Sequence, residues 1–557
     1  MAVALALLSA GATNAATGSS ASSGDLVLKS FAYKKNLAKA PNPWDPVNVP
    51  STAAPIFGSA FNGSLSVRIG FEGTSDYDTR ALGIGLIPPD TMGAVGTTQY
   101  VQLLNGSFSV YNKATGTLAA PRITDSAFWT AAGGTTTGGD PRILFDSVSN
   151  RWLAVGFNTN GSGLNIGVSQ TADALGSWKA ATFSVFSAGI ADYPTLAISG
   201  NSIVIGTNNF TSVAGGGFNY AGTSLLTLPK NDIFNPAGPV LSGLQTFTTP
   251  YDGVTLIDRG YAIQGVNTKV AGGPIRVVAA SVGVFDAVTY DVTGAGTPGV
   301  AQTSLTYLSD NGGNVYAGNN PARQPTAGAS ARIVDPSDDR VASSAWEVGG
   351  KVYFTHTVTP TGNDNTVVRI VVMDAVSKNV LSETDITDAT GNYDFYQGSL
   401  AVNPSGQLVV GYNRSGSFAT GVDGRISLFA RGFDTNLDGT LSMTGDVLLK
   451  QSLVSDYQNG SPEGAAPVGR QRWGDYSSVS LDPNDLQSFW VIGQFAREYN
   501  NAAGGHPGGS GFGRWGNWIS EVGVTAVPEP STYLLMALGL VATGFAARRR
   551  KAAAARA

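Results

Sequence analysis

The sequence has no cysteine and only two histidines, His356 and His506. Disulfides, thiolate metal sites and cysteine nucleophiles are therefore excluded, and a multi-histidine zinc site lacks its ligands. Any bound metal would be a hard cation held by oxygen. Charge is scarce as well: Asp, Glu, Lys and Arg make up 13% of the chain. Long solvent-facing helices draw on those residues, so their shortage argues against a helical protein. With 34 basic against 39 acidic residues the net charge is -5, and no basic stripe precedes the last few positions. No nucleic-acid partner is expected. What abounds is glycine, 72 residues, with 27 prolines and 42% apolar residues. That balance suits short strands joined by tight turns and predicts an all-β fold.

The ends differ from the body. Residues 1–16 contain an apolar run, Ala2 to Leu8, followed by small residues around Ala12 to Ala16, and are expected to be a secretory signal peptide. Residues 17–84, including APNPWDPVNVPSTAAP from Ala40 to Pro55, show no sustained periodicity and read as a leader that wraps or links. At the other end, the 15 apolar residues from Tyr533 to Ala547 would rise about 22 Å as a helix, against a hydrocarbon core of about 30 Å. Arg548, Arg549, Arg550 and Lys551 follow, hold to the cytoplasmic side, and snorkel to complete a transmembrane helix over 533–547.

Pro528-Glu529-Pro530, an apolar stretch and an arginine cluster, in that order at the C-terminus, resemble the PEP-CTERM sorting signal of exosortase substrates. Within the segment 527–557 the resemblance covers Val527 to Lys551, and the AAAARA that follows is longer than the pattern usually leaves. It implies an exosortase-type processing enzyme as partner and an inner-membrane-anchored precursor. Delivery to the cell surface or exopolysaccharide matrix of a Gram-negative bacterium would follow.

Between 85 and 526 the chain breaks into related units of strand, turn and second strand, the second often ending in Gly or Asn. Their openings lie at Pro88, Gly139, Ala191, Thr255, Ser337, Gly398 and Trp473. Each leaves room for four strands, so the expected architecture is a single β-propeller of seven blades, with a β-sandwich array as the alternative. The second unit continues into SQTADALGSWK, where Ser169, Asp173, Gly176 and Trp178 resemble a degenerate Asp box of sialidase-like propellers. In that family the box is a structural turn. The body is similar to secreted bacterial sialidase/BNR-like propellers, a resemblance that implies no reaction.

An Asp recurs where units open: Asp90, Asp140, Asp192, Asp339 and Asp475, with Asp258 less regular. In a propeller these would converge on one mouth of the central channel and repel one another unless Arg142, Arg340 and Arg472 compensated. Such a mouth could hold calcium or a saccharide stacked on Tyr193, Trp473 or Tyr476; otherwise each Asp caps a tight turn. DTNLDGTLS offers Asp434, Asn436, Asp438 and Thr440 as half of a calcium loop, with Gly445 in place of the closing Glu.

No certain cofactor follows, and calcium is the candidate. His356 lies in the alternating strand KVYFTHTV and His506 in a Gly-rich loop, positions that suit packing and solvation. A nucleophile elbow, a phosphate loop and the arginine triad with Tyr-Glu pair of a sialidase are not identifiable. The chain therefore reads as a noncatalytic exported protein that binds polysaccharide or another envelope component. The alternative is a polysaccharide-active glycoside hydrolase or lyase, which would need two carboxylates about 5–10 Å apart.

Overall fold

The structure, a computed structural model, describes residues 65–136, 139–213, 217–250, 260–280, 287–292, 303–305, 321–325, 332–360, 362–416, 424–454, 471–497 and 515–524. The chain is all-β. Among the described residues the helices are short, Asp76–Ala81, Asp125–Ala131 and Lys230–Ile233, and none is long and apolar enough to cross a membrane. Residues 1–16, Asp258, His506 and the candidate span 533–547 lie outside the described residues.

The first strand, β1 (Leu65–Ser75), falls inside the segment read as a leader, and its partner comes at the far end of the chain. After it the chain runs through antiparallel meanders, the fourth and fifth of which are joined by one parallel strand pair into an eight-stranded sheet. The first is β2 (Gly93–Val95), β3 (Gln99–Leu104) and β4 (Ser107–Asn112), and the second β5 (Arg142–Asp146), β6 (Arg151–Phe157), β7 (Gly163–Ser169) and β8 (Trp178–Ser184). The third holds β9 (Gly189–Asp192), β10 (Ala197–Ser199), β11 (Ser202–Ser212), β12 (Phe218–Pro229) and β13 (Gln245–Pro250). β14 (Tyr261–Asn267), β15 (Ile275–Ala280), β16 (Ala287–Val292) and β17 (Thr303–Leu305) make the fourth.

β18 (Ala322–Arg323) and β19 (Arg332–Asp335) then lead into the fifth meander, β20 (Ala345–Val348), β21 (Lys351–Val358), β22 (Val367–Asp374) and β23 (Val380–Ile386). The sixth is β24 (Tyr393–Val402), β25 (Gln407–Gly416), β26 (Ser427–Thr435) and β27 (Leu441–Gln451). After β28 (Gln471–Arg472), which pairs with β19, the last meander is β29 (Ser478–Leu481), β30 (Ser488–Ala496) and β31 (Trp515–Val524). β1 completes that sheet from the other end of the sequence, pairing antiparallel with β31 from Leu65↔Val524 to Ser75↔Gly516.

The second strands β6, β21 and β30 are buried almost end to end, so these sheets are covered on both faces. Their core residues sort by neighbour. Leu153 and Val155 of the second meander meet Ile203 and Leu226 of the third, and Val204 meets Ile263 and Val277 of the fourth. Val266 meets Phe354 and Val371 of the fifth, and Val368 and Ile370 meet Leu408 and Val410 of the sixth. Val409 then meets Phe489 and Val491 of the last, Trp490 and Ile519 meet Tyr100 and Tyr111 of the first, and Val101 and Leu103 meet Trp152 of the second. Each such side chain contributes about 1.5–3 kcal/mol by leaving water. Glycine permits the close approach where sheets touch: a Cβ on Gly206 of β11 would stand 2.1 Å from the carbonyl oxygen of Ile263 in β14.

The turns that join first to second strands, and third to fourth, are linked from meander to meander. Asn484 Nδ2 donates to Thr97 O at 2.7 Å, Gln99 Nε2 to Asp173 Oδ1 at 2.8 Å, and Lys230 pairs with Asp146 at 2.8 Å. Gly200 N donates to Thr268 O at 2.9 Å, Arg276 pairs with Glu347, Ser382 Oγ donates to Gly439 O at 2.6 Å, and Asn403 Nδ2 donates to Leu486 O at 2.9 Å. These turns share one side of the molecule.

Candidate functional site

The chain enters most meanders through a residue with left-handed backbone: Asp90 (φ 49°), Asp140 (51°), Tyr193 (55°), Ala262 (51°), Gln397 (56°) and Gly474 (120°). Asp and Gly take this conformation readily, whereas Tyr, Ala and Gln do so at a cost of about 1–2 kcal/mol each. The cost is met by fixed hydrogen bonds from the preceding meander. Asp140 N donates to Asn105 Oδ1 at 2.7 Å, Ala262 N to Asn208 Oδ1 at 2.8 Å and Gln397 N to Thr357 Oγ1 at 3.2 Å. Asn105, Asn208 and Thr357 stand at or near the ends of second strands, the position where the sequence repeats Asn.

These entries bring a chain of polar groups together. Asn105 Nδ2 donates to Asp90 Oδ2 at 2.8 Å, while its oxygen holds the amide of Asp140. Asp140 Oδ2 accepts from Tyr193 N at 3.3 Å, and the Tyr193 hydroxyl donates to Asp475 O at 3.2 Å. Arg472 pairs with the Asp475 carboxylate. Arg142 lies 3.6 Å over the ring of Tyr476 and 5.2 Å from that of Tyr193. Arg340 lies 4.3 Å from the ring of Tyr193 and 5.2 Å from that of Tyr261, and pairs with Asp338. Burial alone would lower the pKa of Arg472, but the charges of Asp475 and Asp90 raise it above its ordinary value. Burial also lifts the phenols of Tyr193 and Tyr476, so both stay protonated donors.

Asp90, Asp140, Asp475, Arg142 and Arg472 therefore meet in one place, though the Asp repeat is not one backbone position. Asp192 precedes the left-handed Tyr193 and Asp475 follows Gly474, so the Asp series drifts by one residue against the backbone. Asp192 ends β9. Asp339 offers its carbonyl to His356 Nδ1 at 3.1 Å, and the partner of Arg340 is Asp338 instead. Among the described residues Arg142 pairs with no Asp: Nε donates to Pro194 O at 2.8 Å and Nη1 to Ala342 O at 3.1 Å. Tyr193, Trp473 and Tyr476 are all buried, so the ring faces proposed for sugar stacking pack inside the protein. Trp473 Nε1 donates to Asn413 Oδ1 at 3.0 Å.

The DTNLDGTLS loop closes on its own hydrogen bonds. Asp438 Oδ1 accepts from Thr440 N at 3.0 Å and Thr440 Oγ1 at 2.7 Å. Asp434 accepts from Gln407 Nε2 at 3.0 Å, and Asn436 N donates to Thr440 O at 2.8 Å. Among the described residues no three His, Cys, Asp or Glu side chains gather as a metal site.

Sequence reasoning missed Asn105, Tyr261 and Asp338, which complete the cluster; the recurring Asn after second strands was the available signal. Within it, Arg142 Nη2, Arg472 Nη1 and the Tyr476 hydroxyl are buried and have no hydrogen-bond partner among the described residues. The cluster thus sets unpartnered donors beside carboxylates in the interior of the protein.

Residues 526–551 match the PEP-CTERM protein-sorting motif. The motif marks an exported protein whose precursor is membrane-anchored and processed by an exosortase. No curated protein matches the chain. Similar solved structures include a protein of unknown function from Dyadobacter fermentans, 9% identical at a TM-score of 0.35, covering 83% of this chain and 99% of that one. An endo-arabinase from Bacteroides thetaiotaomicron is 15% identical with a TM-score of 0.28, over 49% of this chain and 88% of that one. Extracellular domains 1–2 of Drosophila Semaphorin 1b are 9% identical with a TM-score of 0.34, over 82% and 87%. Likeness at this level assigns no activity to the chain.

Proposed function

We propose that this is an exported, noncatalytic β-propeller of seven blades that binds polysaccharide or another envelope component at the cell surface or in the exopolysaccharide matrix. Two features support the propeller: each meander packs on the next, and the last packs on the first through Trp490 and Tyr100. The turn at 169–179, where Leu175 N donates to Asp173 Oδ1 at 3.0 Å, fits an Asp-box-like corner. Residues 533–547 would hold the precursor in the inner membrane until an exosortase-type enzyme acts near Pro528-Glu529-Pro530.

The observation that carries the binding reading is the buried cluster. Unpartnered donors on Arg142, Arg472 and Tyr476 stand beside the carboxylates of Asp90 and Asp140. Hydroxyl groups, which both donate and accept, satisfy such a mixture. The test mixes the full-length protein with extracellular polysaccharide of its producer and records the bound fraction and the polymer length. Binding at unchanged length is expected. Shortened chains would replace this reading with the hydrolase or lyase.

A further inference from the structure

The last described strand ends where the sorting motif begins. Val524 closes β31 beside the turn 482–487, its amide donating to Gln487 O at 2.8 Å, and the motif starts at 526. Only eight residues, nine chain steps, lie between Val524 and Tyr533, the first residue of the apolar run. Fully extended they reach about 30 Å. The side of the molecule bearing that turn is therefore the side that a membrane-held C-terminus draws toward the bilayer.

That side carries a pattern of its own. Val148, Leu175, Val270, Val376, Leu437 and Leu486 are all exposed, and each sits on a turn joining first to second or third to fourth strands. They come from six different stretches of the chain, yet the turns share one side and are hydrogen-bonded or ion-paired from meander to meander. Val376 is 83% exposed and Leu437 is exposed completely. Turn tips ordinarily carry Gly, Asn, Asp or Ser, and six large apolar residues on the turns of one side depart from that pattern together.

We infer that this ring of apolar turn tips rests on the bilayer that holds the C-terminal segment, docking the folded body flat against the membrane before processing. The proposal rests on the anchored precursor that the sorting motif implies. The face is not basic: Lys113 pairs with Asp482 at 2.6 Å, Lys230 with Asp146 at 2.8 Å and Lys378 with Asp291 at 2.6 Å, and Lys179, Lys269 and Lys351 are matched in number by the turn carboxylates Asp173, Asp374 and Asp438. The contact is thus of the shallow apolar kind, in which side chains enter the headgroup boundary, and it needs no anionic lipid.

The absence of cysteine gives a clean test. Full-length V148C, V376C and L437C, each carrying an environment-sensitive fluorophore, are reconstituted into phosphatidylcholine vesicles containing a lipid-borne quencher. L453C and N392C report the opposite side, where β27 ends and β24 begins. Flotation with the vesicles reads the anchor, and quenching reads the docking. The expected result is flotation of every variant with quenching several-fold stronger at the turn tips than at Leu453 and Asn392, unchanged by added salt. Floating protein whose tips are no better quenched than the controls overturns the docking alone. Protein that does not float overturns the anchor and the docking together. Tips that are shielded without any vesicle point to a second copy of the chain and also overturn the proposal.

Discussion

His356 should make the fold sensitive to acid. Its side chain is buried on β21, its Nδ1–H donates to Asp339 O at 3.1 Å, and Arg369 faces it across the strand pair. Arg369 is itself held by Asp385 at 2.7 Å, with Glu383 at 4.0 Å. Burial first, and the Arg369 charge second, push the imidazole pKa down from 6.5 to about 3. The folded protein therefore keeps His356 neutral while the unfolded chain protonates it below 6.5. Stability from this group is complete above that pH and is lost as pH falls toward 3. At about 1.36 kcal/mol per pH unit, the loss is negligible at pH 7.5, about 2 kcal/mol at pH 5, and about 5 kcal/mol once both states are protonated.

Many carboxylates also respond to acid, so the measurement is a difference. H356Q keeps an amide donor for Asp339 O and cannot titrate. Urea unfolding of the parent and of H356Q, followed by the fluorescence of buried Trp129, Trp152, Trp473, Trp490 and Trp515, gives the stability gap at each pH. The gap should move by about 2 kcal/mol in favour of H356Q between pH 7.5 and pH 5. A gap that stays constant over that range would refute a neutral, buried His356.

Asp125 should act in the opposite direction: burial raises its pKa from 3.8 to about 6 despite bonds from Gly106 and Ser126. Its contribution is largest below 3.8 and falls by about 3 kcal/mol as pH rises past 6, so D125N should flatten that slope in the same unfolding series. D475A strands the buried Arg472 guanidinium and should cost about 3–5 kcal/mol; a melting curve like the parent's would remove the ion pair from the account of the cluster. Leu65 packs against Gly445 and Gly432 in the neighbouring sheet, so L65A should lose about 2–3 kcal/mol, and deleting 65–75 should leave β31 as a bare edge and produce aggregates on size-exclusion chromatography. Calcium or a chelator should leave the melting temperature unchanged, because Asp438 and Asn436 already satisfy the 434–442 turn; a rise with calcium would revive the loop as a cation site.

Much of the body was legible because strand period and turn chemistry coincide. RWLAVGFN and QLVVGYN read as second strands, and they became β6 and β25. The recurring Asn after such runs was visible too, although its purpose was not: only the fold shows that Asn105 and Asn208 hold the amides of Asp140 and Ala262. The Asp series misled in register because the shared feature is a left-handed backbone, which Tyr193, Ala262 and Gln397 also adopt. Residue identity does not encode it. β1 was illegible for a different reason: LSVRIGFEGTS lies beside a Ser- and Pro-rich stretch, and its pairing partner is more than four hundred residues away. Local pattern carries no information about such a contact.

That distant pairing orders the events of folding. β31 lies between β30 and β1 in its sheet, so the sheet and the Trp490–Tyr100 seam it supports stay incomplete until the last residues before the sorting motif exist. Contacts separated by nearly the whole chain form slowly, because loop closure must precede any gain from them. Val524 is four residues from Pro528. Closure of the fold and arrival of the sorting motif are therefore nearly the same event along the chain. A body that completes itself only as its final strand arrives remains open while the preceding residues are exported. Once closed, it stands within a short tether of the membrane, with its apolar turn tips toward it.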